Sequence, residues 1–430
     1  INGIYYSRLI DDGIPCISVM KQENIYDYWA VKDMLAYIKV SKGKCKREDI
    51  LRIVNKPLRY IKRTFIKEPF SYEQLRASYE NNAEMINIIN DWQFDMNIIK
   101  RFIDCKIPLQ TCTLRCHYCY VTHNKLFENK IPVFKYDANF IGNALTQKRL
   151  GGICMFNLCA DGETLLSSQV VEYIRAILEQ GHFVMVVTNG TMTKRFDEII
   201  KFPAHLLSHL FFKFSYHYLE LKKRGLIELF FLNIEKVRNA GCSFTLEVTP
   251  SDELIPYIDE VKKTSLENVG ALCHLTVARN DRISSMPILT KLSREDYKKT
   301  WEVFDSELFN FKLSVFGEKR KEFCYAGDWS VCLDLGTGIL RQCYCSASSQ
   351  NIFDDIEKPI KFRAIGKCRE AHCHNAHAFL CFGDIPDMNS PLYSQVRNRV
   401  CVDGREWLSS EMKDAMSHKL LEKNRLYTLQ

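Results

Sequence analysis

The chain has 430 residues, of which 46% are hydrophobic and 26% charged, an ordinary globular composition for a protein of two or three domains. Its 59 basic and 52 acidic residues leave a formal net charge of +7, which permits an anionic partner without indicating one. No stretch has the uninterrupted apolar length of a membrane span, and the first residues lack a secretion-signal pattern. These features predict a cytoplasmic protein without a membrane partner.

Residues 1–103 are charged and carry apolar residues at three- and four-residue spacing, which predicts a mostly helical N-terminal module. The clearest helical patterns lie at residues 28–38, 48–54 and 83–92. The module contains no group of residues that indicates chemistry. It is expected to dock a peptide, to act as a lid or to brace the rest of the protein.

From residue 104 onwards, short apolar runs alternate with amphipathic helical patterns, and this alternation indicates parallel βα units buried on both faces. The predicted strands are 106–110, 153–159, 183–188, 210–215, 244–249 and 272–277, and the clearest helices are 169–180 and 229–240. Six such units over residues 104–282 predict an α/β fold, a partial (β/α)6 barrel. Function in such folds lies at the carboxyl ends of the strands.

The remainder of the chain has three predicted parts. Residues 283–320 are expected to form a helical connector, and residues 321–390 form a region rich in cysteine and glycine that is dominated by loops. The tail, 391–430, ends in a predicted helix around residues 407–421.

Eighteen cysteines are the unusual feature of the composition. In a reducing compartment disulfides are rare, so clustered thiols favour metal binding or catalysis. Two clusters are apparent, at 112–119 and 324–381. Isolated cysteines are expected to be inert and buried, and these are Cys16, Cys45, Cys105, Cys154, Cys159, Cys242 and Cys273.

Cys112, Cys116 and Cys119 lie in the stretch T-C-T-L-R-C-H-Y-C-Y, directly after the first predicted strand. Three thiolates can hold three irons of a cubane cluster and leave the fourth iron open, and an open position is typical of a catalytic metal site. A zinc site that takes His117 as its fourth ligand is the alternative. The Cys-x3-Cys-x2-Cys spacing, with Tyr118 before the last thiol, resembles the motif of radical S-adenosylmethionine (SAM) enzymes.

This resemblance implies a [4Fe–4S] cluster on the three cysteines, SAM bound at the open iron, and a 5′-deoxyadenosyl radical that abstracts hydrogen from a substrate. The sequence D-G-E-T, residues 161–164, resembles the family's Gly-Gly-Glu-Pro motif, with Asp161 in place of the first glycine and Thr164 in place of the proline. Glu163 then implies an acceptor for the SAM ammonium group, and Gly162 a close approach of the backbone.

Three further residues carry the resemblance. Asn189, in T-N-G-T, resembles the family's third strand end, although Asn-Gly is also a common turn dipeptide. Ser215 and Arg224 resemble the serine and arginine that contact the SAM ribose and carboxylate in the maturase-like branch. The Asp-Gly that usually follows this serine is absent, and a solvated helix face accounts equally well for Arg224.

Glu247 and Arg279, at later strand ends, are expected either to contact SAM or substrate or to form ion pairs at the mouth of the barrel. No catalytic acid or base is identified. Asp328 and Glu247 are candidates, and the sequence does not distinguish between them.

The second cysteine cluster resembles the auxiliary iron–sulfur domains called SPASM or, in a shorter form, twitch. Cys324, Gly338 and Cys343 fit the start of that pattern, and the glycine-rich stretch between the two thiols predicts a β-hairpin turn. The resemblance implies one auxiliary [4Fe–4S] cluster on four of seven cysteines. The preferred ligands are Cys324, Cys343, Cys368 and Cys373, with Cys345 and Cys381 as substitutes and Cys332 as the seventh thiol.

Three histidines lie in or near the second cluster: His372, His374 and His377. They are candidate ligands or substrate contacts, although isolated histidines are more often structural. A zinc ribbon is the alternative for this region, since four thiolates also suit zinc.

Together these features predict a radical SAM enzyme with one auxiliary cluster and a flavodoxin- or ferredoxin-type electron donor. The expected substrate is a peptide that docks on the N-terminal module and is modified after translation. The alternative within the same chemistry is oxidation or epimerisation of a sugar or another small metabolite. A zinc-dependent nucleic-acid-binding protein is the alternative of a different class, and it lacks the clustered basic residues that such binding needs.

Overall fold

The chain forms two compact units, residues 1–97 and 98–430. Among the helices that the structure describes, none combines the length and the apolar character needed to cross a bilayer. The computed structural model describes residues 29–41, 45–56, 59–80, 82, 84–86, 88–89, 99–373, 378–385, 388 and 390–417.

The described part of the N-terminal unit is helical, as predicted from the spacing of its apolar residues. Its helices are α1 (Trp29–Ser41), α2 (Arg47–Ile53) and α3 (Tyr72–Ala77), with a 3-10 turn at Arg63–Phe65. The predicted helix at 83–92 lies partly outside the described residues. The unit has an apolar core of its own, formed by Ala36, Val40, Ile50, Ile53, Val54, Ile61, Ile66, Leu75 and Ile89.

The second unit is built on a nine-stranded sheet in the order β6-β5-β4-β3-β2-β1-β7-β8-β9. The strands from β6 to β7 in this order are parallel, and β8 and β9 add an antiparallel edge. The strands are β1 (Arg101–Ile107), β2 (Cys154–Ala160), β3 (Phe183–Thr188), β4 (Leu210–Ser215), β5 (Ser243–Val248), β6 (His274–Leu275), β7 (Ser330–Asp334), β8 (Ile339–Arg341) and β9 (Ser349–Asn351). The predicted α/β fold with an unclosed parallel sheet is confirmed.

Helices connect the parallel strands and continue into the C-terminal part. They are α4 (Tyr120–His123), α5 (Ala138–Ala144), α6 (Gln147–Leu150), α7 (Ser168–Glu179), α8 (Thr193–Ile199), α9 (Ala204–Leu207), α10 (Tyr218–Arg224), α11 (Ile227–Asn239), α12 (Ile258–Val269), α13 (Arg294–Trp301), α14 (Glu307–Val315), α15 (Ala378–Phe382) and α16 (Ser410–Met416). Short 3-10 turns occur at Thr164–Leu166, Asp252–Tyr257 and Glu302–Phe304. The predicted helices at 169–180 and 229–240 correspond to α7 and α11.

The first strand begins five residues before its predicted start, because charged side chains interrupt its apolar pattern. Arg101 and Asp104 are accommodated by local bonds: Arg101 Nη1 donates to the Leu150 carbonyl at 2.5 Å, and Asn157 Nδ2 donates to Asp104 Oδ1 at 2.6 Å. The strand ends at Ile107 since Pro108 has no N–H to donate to a neighbour.

Residues 330–351 join the same sheet instead of forming loops only. Strand β7 pairs in parallel with β1, with Phe102 opposite Ser330. The predicted hairpin is present between β7 and β8, and Gly338 lies at its turn with a φ of 77°. A Cβ at Gly338 would come within 2.5 Å of Phe353 Cβ, so both backbone conformation and space require glycine there.

Successive residues of the strands alternate between two apolar clusters on opposite faces of the sheet. On β3, for example, Val184 and Val186 lie in one cluster, and Phe183 and Met185 lie in the other. On β4, Phe211 and Lys213 are two residues apart and therefore lie on the same face of the sheet. This face is apolar near the start of the strand and charged near its carboxyl end.

Trp407 fastens the C-terminal segment to the sheet at β5. Its indole N–H donates to the Val269 carbonyl at 3.0 Å, and its carbonyl accepts from the Phe244 N–H at 3.1 Å. Its ring stacks on Phe244 with the centroids 5.2 Å apart, and the residue is 1% exposed.

Replacing Trp407 by alanine should lower the free energy of unfolding by about 3–5 kcal/mol, because a large cavity would remain and the Val269 carbonyl would keep only the weaker Cys401 thiol as a donor. Urea unfolding followed by far-UV circular dichroism measures this loss. Val402→Ala is the matched control, since Val402 is 89% exposed and its truncation should change stability by less than about 0.5 kcal/mol. Equal midpoints for the two variants would contradict the assigned anchor.

Candidate active site

The carboxyl ends of the parallel strands enclose one cavity of about 360 Å³. Its wall combines the loop after β1, the turn after β2, the ends of β3 and β4, the residues that follow β5 and β6, and one side of α14. This volume lies within the range of small-molecule sites in proteins.

Cys112, Cys116 and Cys119 all line this cavity, as the predicted position of their loop requires. Burial raises the pKa of Cys112 to about 11 and the pKa of Cys116 further still. The charges of Cys112 and Cys119 contribute to the shift at Cys116, so the three thiols lie within electrostatic range of one another. With raised pKa values, Cys112 and Cys116 stay protonated until a bound metal deprotonates them.

The turn after β2 supports the three-cysteine loop through the backbone. The Gly162 N–H donates to the Leu109 carbonyl at 3.1 Å, and the Glu163 N–H donates to the Thr111 carbonyl at 2.9 Å. A Cβ on Gly162 would lie 2.0 Å from the Thr111 oxygen. The predicted close backbone approach at Gly162 is therefore made to the cysteine loop itself.

The buried Glu163 carboxylate ties the second strand end to the third. Its Oε1 accepts from Leu165 N at 3.0 Å and from Thr188 Oγ1 at 2.6 Å, and its Oε2 accepts from Asn189 N at 2.8 Å. Burial raises the pKa of Glu163, and these hydrogen bonds partly offset the rise. A carboxylate accepts about four hydrogen bonds, so one position remains for a donor in the cavity.

Asn189 connects the third strand end to the first cysteine. Its Nδ2 donates to Thr113 Oγ1 at 2.9 Å and lies 3.7 Å from Cys112 Sγ. Its Oδ1 accepts from the Thr191 hydroxyl at 2.7 Å, and that hydroxyl lies 3.0 Å from Thr113 Oγ1. The T-N-G-T stretch thus holds the cysteine loop in place through the contacts of Asn189 and Thr191 with Thr113. It is more than a turn.

The two residues that depart from the Gly-Gly-Glu-Pro pattern both have local partners. Asp161 forms an ion pair with Lys106 at 2.8 Å and accepts a hydrogen bond from the Tyr120 hydroxyl. Thr164 Oγ1 accepts from the Ala160 N–H at 3.1 Å, which closes the turn at the strand end.

The other predicted SAM contacts divide into two groups. Tyr118 and Ser215 line the cavity, and the Tyr118 hydroxyl hydrogen-bonds to His217 Nδ1. Arg224 lies outside the cavity lining, on a face of α10, where it pairs with Glu220 at 3.1 Å and is 41% exposed. Arg224 thus lies on a solvated helix face, the alternative that the sequence analysis gave for it, and its contact with SAM stays a prediction.

His117, the suggested fourth zinc ligand, is engaged elsewhere. Its Nε2 lies 3.0 Å from both Ser251 Oγ and Glu253 Oε2. In the described part of the chain, no three side chains of His, Cys, Asp or Glu converge as ligands of one metal ion. A cubane takes one thiolate per iron, so its ligands do not have to meet at a single point.

The candidate acid–base residues lie in ion pairs outside the cavity lining. Glu247 is 4% exposed and pairs with Lys213 at 3.0 Å and with Arg397. Asp328 pairs with Arg101 at 3.1 Å. Arg279 does line the cavity.

Among the cavity residues that the sequence analysis did not identify are Lys213, Lys312 and Cys159. A charge inside an apolar strand or helix is a signal that could have been used, since Lys213 lies in L-F-F-K-F-S and Lys312 in F-N-F-K-L-S. Cys159 was expected to be inert. It borders the cavity, although burial raises its pKa to about 12.

The second cysteine group gathers beside the same cavity. Cys324 and Cys381 belong to one buried apolar cluster, and Cys343, Cys368 and Cys373 pack against that cluster. Burial raises the pKa of Cys324 to about 12. Cys373 also lines the cavity.

The remaining candidates in this region are placed differently. Cys345 is exposed, and Cys332 lies on β7 opposite Asp104 of β1. His372 lines the cavity, with its Nε2 2.9 Å from the Ser285 carbonyl oxygen. His374 and His377 lie outside the described residues.

Replacing Gly162 by alanine should lower the free energy of unfolding by about 1–3 kcal/mol, the range for an overpacked site, because the new methyl group would collide with Thr111. Urea unfolding measures the change. Gly142→Ala on α5 is the control: its nearest contacts would be at 3.6 Å, and its stability should be unchanged or slightly raised. Equal stability of Gly162→Ala and the control would show that the turn does not touch the loop.

Lys213 should make stability depend on pH, because burial and the nearby Arg397 lower its pKa to about 7. An unfolded lysine has a pKa of about 10.4, so between pH 7 and 10 the unfolded chain binds more protons at this site. Wild-type stability then rises with pH through this window by up to about 1.4 kcal/mol per unit relative to Lys213→Met. Denaturant titrations at several pH values measure this difference, and Lys223→Met, at a 78% exposed side chain, is the control. A difference that is flat with pH would contradict the assignment.

Residues 107–250 match the family model described as Radical SAM superfamily, whereas no curated protein matches the chain. Among solved structures, the Streptococcus suis SuiB bound to S-adenosylmethionine is 14% identical over 66% of this chain and 69% of that chain, with a TM-score of 0.44. Native anSMEcpe with bound AdoMet is 14% identical over 59% of this chain and 79% of that chain, with a TM-score of 0.40. The family match spans the three-cysteine loop and the ends of β2 to β5, so residues 107–250, which supply most of the cavity wall, are similar to the radical SAM superfamily.

Proposed function

We propose that this protein is a radical SAM enzyme that modifies a peptide. This proposal rests mainly on one observation: the turn after β2 and the end of β3 hold the loop that carries three thiols, one of them buried and two half-buried, at the edge of one cavity. A [4Fe–4S] cluster bound to Cys112, Cys116 and Cys119 would supply the electron for reductive cleavage of SAM, and the resulting radical would abstract hydrogen from the substrate.

The donor chemistry and the space fit these two cofactors. Thiolates are the ligands that iron–sulfur clusters take, and three thiols on one loop leave an iron open for SAM. The cavity of about 360 Å³ begins at that loop.

The chain's own residues would position SAM. The free acceptor position on Glu163 suits the SAM ammonium group, and Tyr118 and Ser215 offer hydroxyl groups in the same cavity. Asn189 holds the cysteine loop and is close to Cys112, and Gly162 keeps the turn packed against it. Arg224 has no role in this proposal, because its guanidinium pairs with Glu220.

We assign the second cysteine group to one auxiliary [4Fe–4S] cluster. Cys324, Cys343, Cys368 and Cys373 are the proposed ligands, and Cys381 is the substitute because it shares their surroundings. Since Cys373 lines the cavity, this cluster would lie beside the substrate, where it can bind the substrate or accept an electron.

A peptide is favoured as substrate because residues 1–97 form a separate compact unit. A helical unit with its own core can dock a peptide leader while the cavity acts on another segment. A sugar or small metabolite would need no such module. The proposed electron donor is a flavodoxin or ferredoxin, in keeping with a reducing cytoplasm.

Anaerobically purified protein should contain about eight irons per chain, the content of two cubanes, and should form 5′-deoxyadenosine from SAM when a reductant is added. Cys116→Ala should lose this cleavage and keep about four irons, because the auxiliary group is untouched. Metal analysis and chromatographic detection of 5′-deoxyadenosine measure both quantities.

Cys242→Ala is the control, since Cys242 is buried at the amino end of β5 and does not line the cavity, so the variant should retain cleavage and iron. Zinc without iron or sulfide in the wild-type protein would overturn the proposed function. Persistent cleavage in Cys116→Ala would show that another set of thiols holds the cluster.

A further inference from the structure

Three basic side chains that are not among the proposed SAM contacts line the cavity. Lys213 from β4, Arg279 from the segment after β6 and Lys312 from α14 all line it. These residues come from three separate elements, so their convergence is a product of the tertiary fold and not of one basic sequence segment.

Lys312 has a neutral partner at the cavity wall. Its ammonium donates to Thr276 Oγ1 at 2.8 Å, and within the described ranges it forms no salt bridge. Burial lowers its pKa, and the charges of Lys213 and Arg279 lower it further. Burying an ammonium beside two other cations is unfavourable unless an anion joins them.

Two carboxylates near this group have partners of their own. Glu247 pairs with both Lys213 and the fully buried Arg397, so one carboxylate serves two cations. Asp104 accepts hydrogen bonds from Asn157 and Tyr344. Lys213, Arg279 and Lys312 form the basic part of the cavity lining, and Asp281 lies two residues after Arg279.

We propose that Lys312, Lys213 and Arg279 bind a carboxylate group of the substrate, which for a peptide substrate is the side chain of an aspartate or glutamate. The assignment of a peptide rests on the proposed function. The three cations would hold an acidic residue in the cavity and thereby select which part of the peptide approaches the reacting atoms.

The methionyl carboxylate of SAM is the other source of negative charge for this cavity. The cysteine loop follows β1, whereas Lys213 lies on β4, Arg279 follows β6 and Lys312 lies on α14. The SAM arm of the test below separates the two sources.

The test compares the binding of two probes with uncharged backbones, N-acetyl-glutamate amide and N-acetyl-glutamine amide, to the 430-residue protein with its clusters. Equilibrium dialysis of the labelled probes should show at least tenfold tighter binding of the glutamate probe. Lys312→Met should weaken the glutamate probe about tenfold, leave the glutamine probe unchanged, and leave SAM affinity within twofold of wild type.

Lys299→Met, at an exposed lysine of α13, is the control and should bind both probes and SAM as the wild type does. Arg279→Gln is the second variant and should also weaken the glutamate probe if Lys312→Met does not fold. Circular dichroism and iron content establish folding for each variant.

Equal binding of the two probes, or no effect of both variants, would overturn the inference. Equal weakening of SAM and the glutamate probe would also overturn it, since the cations would then serve the SAM carboxylate. If wild-type protein prefers the glutamate probe but does not bind SAM, the carboxylate site stands and the proposed function fails.

Discussion

The position of the three thiols depends on one backbone contact, between the turn after β2 and the loop after β1. Gly162 and Glu163 donate their N–H groups to the carbonyls of Leu109 and Thr111, and only a residue without a Cβ can approach so closely. Because Leu109 and Thr111 lie within the three residues before Cys112, the contact sets where the cysteine loop begins. The side chains of Glu163 and Asn189 then extend the same support to the end of β3.

The face of the sheet that carries the cavity changes character along the strands. Met185 and Phe211 fill an apolar cluster near the strand starts, and Lys213 follows on the same face of β4. Buried charges of this kind are costly unless they are paired, and here Glu247 pairs with both Lys213 and Arg397. Charged side chains thus remain on this face of the sheet at the carboxyl end of β4, where the apolar cluster gives way to the cavity.

The pairing of β7 with β1 brings the second cysteine group to the first. That pairing is the contact that places the region around β7 next to the carboxyl end of β1. With it, Cys373 lines the same cavity as Cys112, Cys116 and Cys119. A second redox centre beside the substrate is therefore compatible with the architecture of this unit.

Local pattern was sufficient to predict most of the parallel sheet, because apolar runs such as 183–188 and 210–215 determine strand formation without reference to distant residues. The spacing of Cys112, Cys116 and Cys119 likewise predicted a loop that ends up at the cavity. The pattern of apolar residues did not predict that β1 starts at Arg101. The charged residues of this strand are accommodated only by distant partners such as Leu150 and Asn157.

Tertiary structure alone decided which polar residues face the cavity. Arg224 and Lys213 lie only 11 positions apart in sequence, yet the first turns to Glu220 on a solvated helix and the second lines the cavity. Lys312 joins the site from a helix nearly 100 residues further on. The sequence by itself determined the elements and the three-thiol loop, because these follow from short-range spacing. The basic side of the cavity required the folded chain, because its charges come from elements that only long-range packing brings together.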